Sequence, residues 1–215
     1  MSEELPPAVP AATVIVVRDT SPGLEVLMLK RSDVGAFANF WVFPGGRIDD
    51  TDHGADEIER ARAAAVREAQ EEVGLVVDPA HTHPYSHWTP PAIQPRRFAT
   101  WFFVAHWGGD DVRIDGHEIV DHRWMRPLDA IDAQLPMAPP TIVTLHELAE
   151  AGSFSATRRT EYPRWVTRPT KSRDDVPVLL WHDDAGYDTL DAELPGPRNR
   201  LWYPAGGPYR YERTN

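Results

Sequence analysis

Between Arg67 and Gly74 the chain reads Arg-Glu-Ala-Gln-Glu-Glu-Val-Gly, which sets Glu68, Glu71 and Glu72 at spacings of three and four. On a helix turning about 100° per residue such side chains are neighbours. Their like charges repel by roughly 0.2–0.5 kcal/mol per pair. They also occupy the last turns, where the macrodipole disfavours anions by about 0.3–1 kcal/mol each. Clustered departures from local rules are a mark of functional sites. A hard, oxygen-seeking divalent cation, Mg2+ or Mn2+, would turn this repulsion into binding and could also engage phosphate oxygens. The alternative is an ordinary charged helix in which Arg67 pairs with Glu71 at i, i+4.

The elements that must position these acids can be read outward from them. Ile58, Ala61, Ala65, Ala69 and Val73 line one apolar stripe, so a helix is predicted over about Glu57 to Val73, stopped by Gly74. Glu72 projects onto that same stripe, which argues against a solvated side chain. Upstream, Thr13–Val17 and Glu25–Leu29 read as a strand pair and Trp41–Phe43 as a short strand stopped by Pro44-Gly45-Gly46. A polar segment, Asp49–Asp56, leads into the helix. Downstream, strands are expected at Leu75–Val77, Phe98–Ala105 and Ile119–Met125, with an Asp/Gly-rich loop at Gly108–Gly116. A helix is expected at Thr141–Glu150, ended by Gly152. Alternating helices and strands predict a layered α/β domain. The segment Ser153–Asn215, rich in Pro, Arg, Trp and Tyr, reads as irregular β structure with one clear strand at Val176–Trp181.

The 215 residues are 41% hydrophobic and 26% charged, enough for one sizeable core or one domain with an extension. A net charge of −11 without a Lys/Arg block argues against nucleic acid as the main partner. An anionic substrate would need bound cations or a few placed arginines. The absence of cysteine excludes disulfides, thiolate nucleophiles and Cys-based metal sites. The acidic, Pro-rich start lacks the pattern of a signal peptide and no apolar run approaches a membrane span, so a cytoplasmic location without membrane association is expected.

The run Arg67 to Leu75 resembles the second half of the Nudix signature, G-x5-E-x7-R-E-U-x-E-E-x-G-U with U aliphatic, and Glu59 stands eight residues before Arg67 as the first Glu of that pattern does. Gly46, however, stands 21 residues before Arg67 where the pattern has 14, so seven extra residues fall within Asp49–Asp56. The resemblance implies an α/β/α sandwich with a mixed sheet, expected over residues 1–152, and the composition of 153–215 is read as an extension packed on the same domain. It implies hydrolysis of a diphosphate linkage, with Glu68, Glu71 and Glu72 holding Mg2+ or Mn2+ beside a backbone carbonyl near Gly45 or Gly46, and with Arg67 orienting the acids. The general base in such proteins is a signature Glu or an acid of a distant loop, and Glu118 is the distant candidate. An ordinary solvated loop acid is the alternative. Arg96 and Arg97 before the aromatic strand, and Lys30 or Arg31 ahead of the Gly45-Gly46 turn, are candidates for binding substrate phosphate, a salt bridge being the alternative. His117 and His122 read as surface residues.

Further features narrow the substrate. The lengthened loop, the strand Arg97-Phe98-Ala99-Thr100-Trp101-Phe102-Phe103, Ala138-Pro139-Pro140-Thr141, Lys30-Arg31-Ser32 and the C-terminal extension resemble the coenzyme A and acyl-coenzyme A diphosphatase branch. An ADP-ribose or nucleotide-sugar diphosphatase, and a Nudix module that binds a nucleotide without cleaving it, stand as alternatives. The expected partner is a small nucleoside diphosphate derivative, and a homodimer is left open because many relatives are dimers.

Overall fold

β-Branched and aliphatic runs build the centre of the molecule. In β1 (Val9–Thr20) and β2 (Gly23–Arg31), residues from Val14 to Val17 and from Val26 to Leu29 are essentially inaccessible on both faces of the strands. A strand buried on both sides requires a layer above and a layer below it. The computed structural model describes residues 7–35, 37–93, 97–109 and 112–214, and these fold into an α/β architecture with a large mixed sheet and a separate C-terminal sheet. They fall into two compact units, one made of those among residues 10–87 and 100–163, the other of those among residues 7–9, 88–99 and 164–214.

Eight strands form the first sheet. β3 (Trp41–Val42), β2, β1, β6 (Phe98–His106) and β5 (Thr82–Thr89) follow one another across it, and within the second unit β8 (Arg164–Val166) lies beside the end of β5 at Trp88 and Thr89. β4 (Gly45–Arg47) pairs with β1 and β7 (Ile119–Met125) with β2, both antiparallel. The Gly45-Gly46 turn expected to stop a strand is thus itself a strand, with Thr13 opposite Gly45 and Ala12 opposite Gly46. A side chain on Gly45 would collide with the Ala12 carbonyl and Thr13, which explains glycine at this crowded position.

Helix α1 (Glu57–Val73) has the bounds its apolar spacing predicts. The Asp56 carboxylate caps it by accepting the Glu59 N–H, and Gly74, at φ 69°, closes it with its N–H on the Gln70 carbonyl. Ala61, Ala65, Ala69 and Val73 are buried against Val14, Val16, Leu27, Leu29, Trp101 and Phe103 of the sheet. Small residues let the helix lie close to the strands. The opposite face of the sheet, with Ile15, Val17, Val26, Met28 and Val104, is covered as well. α2 (Pro127–Asp132) packs on α3 (Pro139–Ala151), whose Ile142, Leu145 and Leu148 are buried, and α4 (Phe154–Thr157) follows. Leu75–Val77 is not a strand. Its side chains alternate, Leu75 and Val77 inward and Val76 outward, but its backbone joins no ladder.

In the second unit β9 (Arg168–Lys171), β10 (Pro177–Leu180), β11 (Arg198–Trp202) and β12 (Arg210–Thr214) form an antiparallel sheet in the order β12-β11-β10-β9. Trp88, Trp165 and Trp181 cluster within this unit, with Trp181 edge-on to Trp88 at 5.6 Å between centroids. The Arg200 guanidinium and the Asp184 carboxylate are buried together in two hydrogen bonds of 2.6 and 2.7 Å. No described helix is long and apolar enough to cross a membrane.

Candidate active site

The last two turns of α1 run beside β4, and this juxtaposition builds an acid cluster in the first unit. Glu72 is only 5% exposed, as its place on the apolar stripe predicts, and its Oε2 accepts the Gly45 N–H at 3.0 Å. Burial raises its carboxyl to about 8, opposed by the Gly45 hydrogen bond and the charge of Arg31 and assisted by the neighbouring charges of Glu68 and Glu118. Glu68 stands against Gly46 so closely that a β-carbon there would overlap its carboxyl group. Burial shifts Glu68 upward too, against the pull of Arg67. Glu71 is the outermost of the three, its side chain 58% exposed.

Arg67 organises the cluster from one side. Its Nη1 donates to Glu68 at 2.8 Å and to Glu71 at 2.9 Å, and its Nη2 also reaches the Arg47 carbonyl at 3.0 Å. The i, i+4 pair of an ordinary helix is present, but as one arm of a larger network. Its strongest arm reaches Asp52, whose two carboxylate oxygens accept Nε and Nη2 at 3.0 Å each in a fork-on-fork pair. Asp52 is 4% exposed. Burial alone would raise its pKa, but the Arg67 hydrogen bonds, the Asp49 N–H and the charges of Arg67 and Arg60 hold it below the usual carboxylate range. These partners, Asp52 first, raise Arg67 above its ordinary value.

Sequence reasoning missed Asp52. Glu59, expected as the first Glu of the signature, instead faces Arg62 at 2.5 Å near the start of α1. The signal was present in the spacing: Asp52 lies six residues after Gly46, where G-x5-E places its acid. The extra residues therefore lie between this acid and the helix, not between Gly46 and the acid. An aspartate in place of glutamate concealed the match.

A second arginine approaches from β2. At Lys30/Arg31 the β2–β7 ladder shifts register, and such an irregularity re-aims side chains. Arg31 places Nη1 3.5 Å from Glu72 Oε1 and Nη2 2.7 Å from Glu118 Oε2. Glu118, 87 residues from Arg31, is thereby brought to the acid cluster even though its side chain is 64% exposed. Of the two basic residues at the end of β2 it is Arg31 that faces the acids. Arg97 lies in the second unit, where its carbonyl accepts the Val9 N–H at 2.7 Å. Arg96 lies outside the described residues. His117 is exposed and His122 is partly buried on β7.

Among the described residues no three His, Asp or Glu side chains already converge on one point as a ready ion cage. The two arginines divide the carboxylates between them, Arg67 taking Glu68 and Glu71 and Arg31 taking Glu72 and Glu118. The donors nevertheless fit a hard divalent cation in kind and in placement. Glu68 and Glu72 both lie against the Gly45-Gly46 backbone, Glu72 is buried with its charge disfavoured, and every candidate donor is an oxygen.

The NUDIX domain family model matches residues 7–148. A NUDIX hydrolase from Alicyclobacillus acidocaldarius is similar in structure, with a TM-score of 0.61 and 23% identity over 69% of this chain and 94% of that one. The NUDIX domain of Shewanella oneidensis NrtR, complexed with ADP ribose, has a TM-score of 0.54 and 17% identity over 70% of this chain and 92% of that one. A MutT NUDIX hydrolase from Burkholderia pseudomallei has a TM-score of 0.51 and 20% identity, covering 66% of this chain and 99% of that one. At these identities the likeness is one of fold. No curated protein sequence matches the chain.

Proposed function

The chain belongs to the NUDIX domain family and is a hydrolase acting on pyrophosphate bonds, and from that premise we propose that it cleaves a nucleoside diphosphate derivative, coenzyme A or acyl-coenzyme A, with Mg2+ or Mn2+. The observation that carries this reading is the placement of Glu68 and the buried Glu72 against the Gly45-Gly46 backbone, with Glu71 one turn away. Glu68, Glu71, Glu72 and the Gly46 carbonyl would hold the metal, which when bound neutralises diphosphate charge and makes water a better nucleophile.

The chain's own residues do the rest. Arg67, fixed by Asp52, keeps Glu68 and Glu71 oriented. Arg31 is a cation at the edge of the cluster that can meet a substrate phosphate. Glu118 is exposed, hydrogen-bonded to Arg31, and suited to take the proton of the attacking water. A new oxygen–phosphorus bond forms, the bridging oxygen–phosphorus bond breaks, and the departing phosphate keeps the bridging oxygen. From coenzyme A the products would be 3′,5′-adenosine bisphosphate and phosphopantetheine. Support for that substrate comes from Lys30-Arg31-Ser32, the lengthened 49–56 segment, the aromatic strand β6 and the C-terminal extension, which resemble the coenzyme A branch. The proposal assigns the chemistry to residues 1–152 and places the protein in the cytoplasm, acting on a small molecule.

A second reading, an ADP-ribose or nucleotide-sugar diphosphatase, is favoured by the NrtR domain, a protein of this fold that binds ADP ribose. Incubation with coenzyme A, acyl-coenzyme A, ADP-ribose and NADH in 18O water, with Mg2+ or Mn2+ and mass analysis of both products, separates them. Cleavage of coenzyme A with one 18O in one phosphate product is expected. Preferential cleavage of ADP-ribose supports the second reading, and nucleotide binding without turnover of any compound supports a non-catalytic module.

A further inference from the structure

A closed ring of contacts joins the last turn of α1 to the loop that carries Glu118. A helix leaves its final carbonyls without intrahelical partners. Here the Arg113 N–H takes the Val73 carbonyl at 3.0 Å and the Asp115 N–H takes that of Glu72 at 3.1 Å. The Asp115 carboxylate then gathers the next turn of the loop. Its Oδ1 accepts the N–H groups of His117 and Ile119 at 2.9 and 3.0 Å, and its Oδ2 accepts that of Glu118 at 3.3 Å. Glu118 in turn accepts the Ser32 N–H on its carbonyl at 2.8 Å and Arg31 Nη2 on its carboxylate at 2.7 Å. Arg31 Nη1, 3.5 Å from the Glu72 carboxylate, closes the ring.

An exposed acid on a loop would otherwise be spread over many backbone and side-chain positions, and fixing a residue's backbone costs conformational entropy. Asp115 is itself exposed and fills no core, so its contribution lies in these bonds. It hangs the Glu118 backbone from the same helix turn that carries Glu72. We propose that Asp115 is a positioning residue for diphosphate hydrolysis: by anchoring the 117–119 backbone to α1 it holds Glu118 beside the acid cluster, and it acts on the reaction only through Glu118. This rests on the reading above in which Glu118 takes the proton of water.

The test is a double-mutant cycle with coenzyme A and ADP-ribose as substrates in Mg2+, joined to amide hydrogen exchange. Asp115→Ala should lower kcat by about 10- to 100-fold, the scale of a misplaced catalytic group, with KM and Tm nearly unchanged. Asp115→Asn keeps an oxygen for His117 and Ile119 and should recover most of the loss. In a Glu118→Gln background, Asp115→Ala should cost nothing further, because the group it positions is already inert. Exchange at the 117–119 amides should quicken in Asp115→Ala. If Asp115→Ala reduces kcat by the same factor with or without Glu118, or leaves exchange at 117–119 unchanged, Asp115 is not positioning Glu118 and the inference is wrong. If Glu118→Gln retains full kcat, or the wild type cleaves neither substrate, the functional reading itself fails and the inference falls with it.

Discussion

Glu72 joins two properties that a structural acid would avoid, burial and the company of like charges. Its carboxyl, raised to about 8 from an ordinary 4.5, is protonated in both the folded and unfolded chain at low pH. Between those values the folded protein keeps a proton that the unfolded chain has released. The stability this group contributes is therefore full below about 4.5 and lost as pH rises through 8. Urea midpoints of the metal-free protein should fall across that window, and Glu72→Gln should flatten the slope; an unchanged slope would mean that Glu72 is ionised and satisfied in the fold. Asp52 makes the opposite case, a buried acid whose charge is used. Asp52→Ala leaves Arg67 without its forked partner and should cost about 1–3 kcal/mol in chemical denaturation, with a fall in kcat because Glu68 and Glu71 lose their fixed cation. Glu59→Ala, which removes only an exposed contact to Arg62, should change neither.

At the level of elements, α1 was legible in the sequence because the apolar stripe and the Gly74 stop agree with one another, while its Asp56 cap shows only in the structure. The strands β1, β2, β6 and β7 were legible for the same reason, being β-branched or aromatic runs between turn residues. β5 was not. Its sequence Thr-His-Pro-Tyr-Ser-His-Trp-Thr carries a proline and few β-branched residues, and neighbouring strands, more than its own propensity, hold it extended. The short β4 was hidden because Pro44-Gly45-Gly46 has the composition of a turn, and only pairing with β1 makes it a strand. Its glycines are also a point of attack. Gly46→Ala drives a methyl group into the Glu68 carboxyl and should reduce kcat more than stability, whereas Gly74→Ala strains a left-handed cap, its new methyl group meeting Arg113 and no carboxylate, and should cost about 1 kcal/mol of stability. Thermal melts beside steady-state kinetics separate the two.

For the molecule as a whole, the chain order concealed how residues are shared between compact units, since the described residues 7–9, 88–93 and 97–99 join 164–214 only in three dimensions. The C-terminal unit has a stability of its own to measure, centred on the buried Asp184–Arg200 pair. Burial would raise Asp184, but Arg200 and the Asn199 and Gly186 N–H groups outweigh it and hold the acid below its ordinary 3.8. Its contribution is thus present above the unfolded value and lost as pH falls through the lower folded one. Asp184→Asn should destabilise the protein at neutral pH by about 3–5 kcal/mol, the cost of stranding a buried cation, and should blunt its acid unfolding; a neutral effect would show that Arg200 finds other partners. The central claim, that the acids closing α1 are catalytic, is tested most directly by kcat per folded molecule for Glu72→Gln beside the wild type, with Mg2+ and with the metal chelated. A loss of at least about 100-fold in a variant as stable as the wild type, matched by the loss on chelation, is the predicted result. Full specific activity in the folded fraction of Glu72→Gln, or turnover that survives chelation, would contradict it.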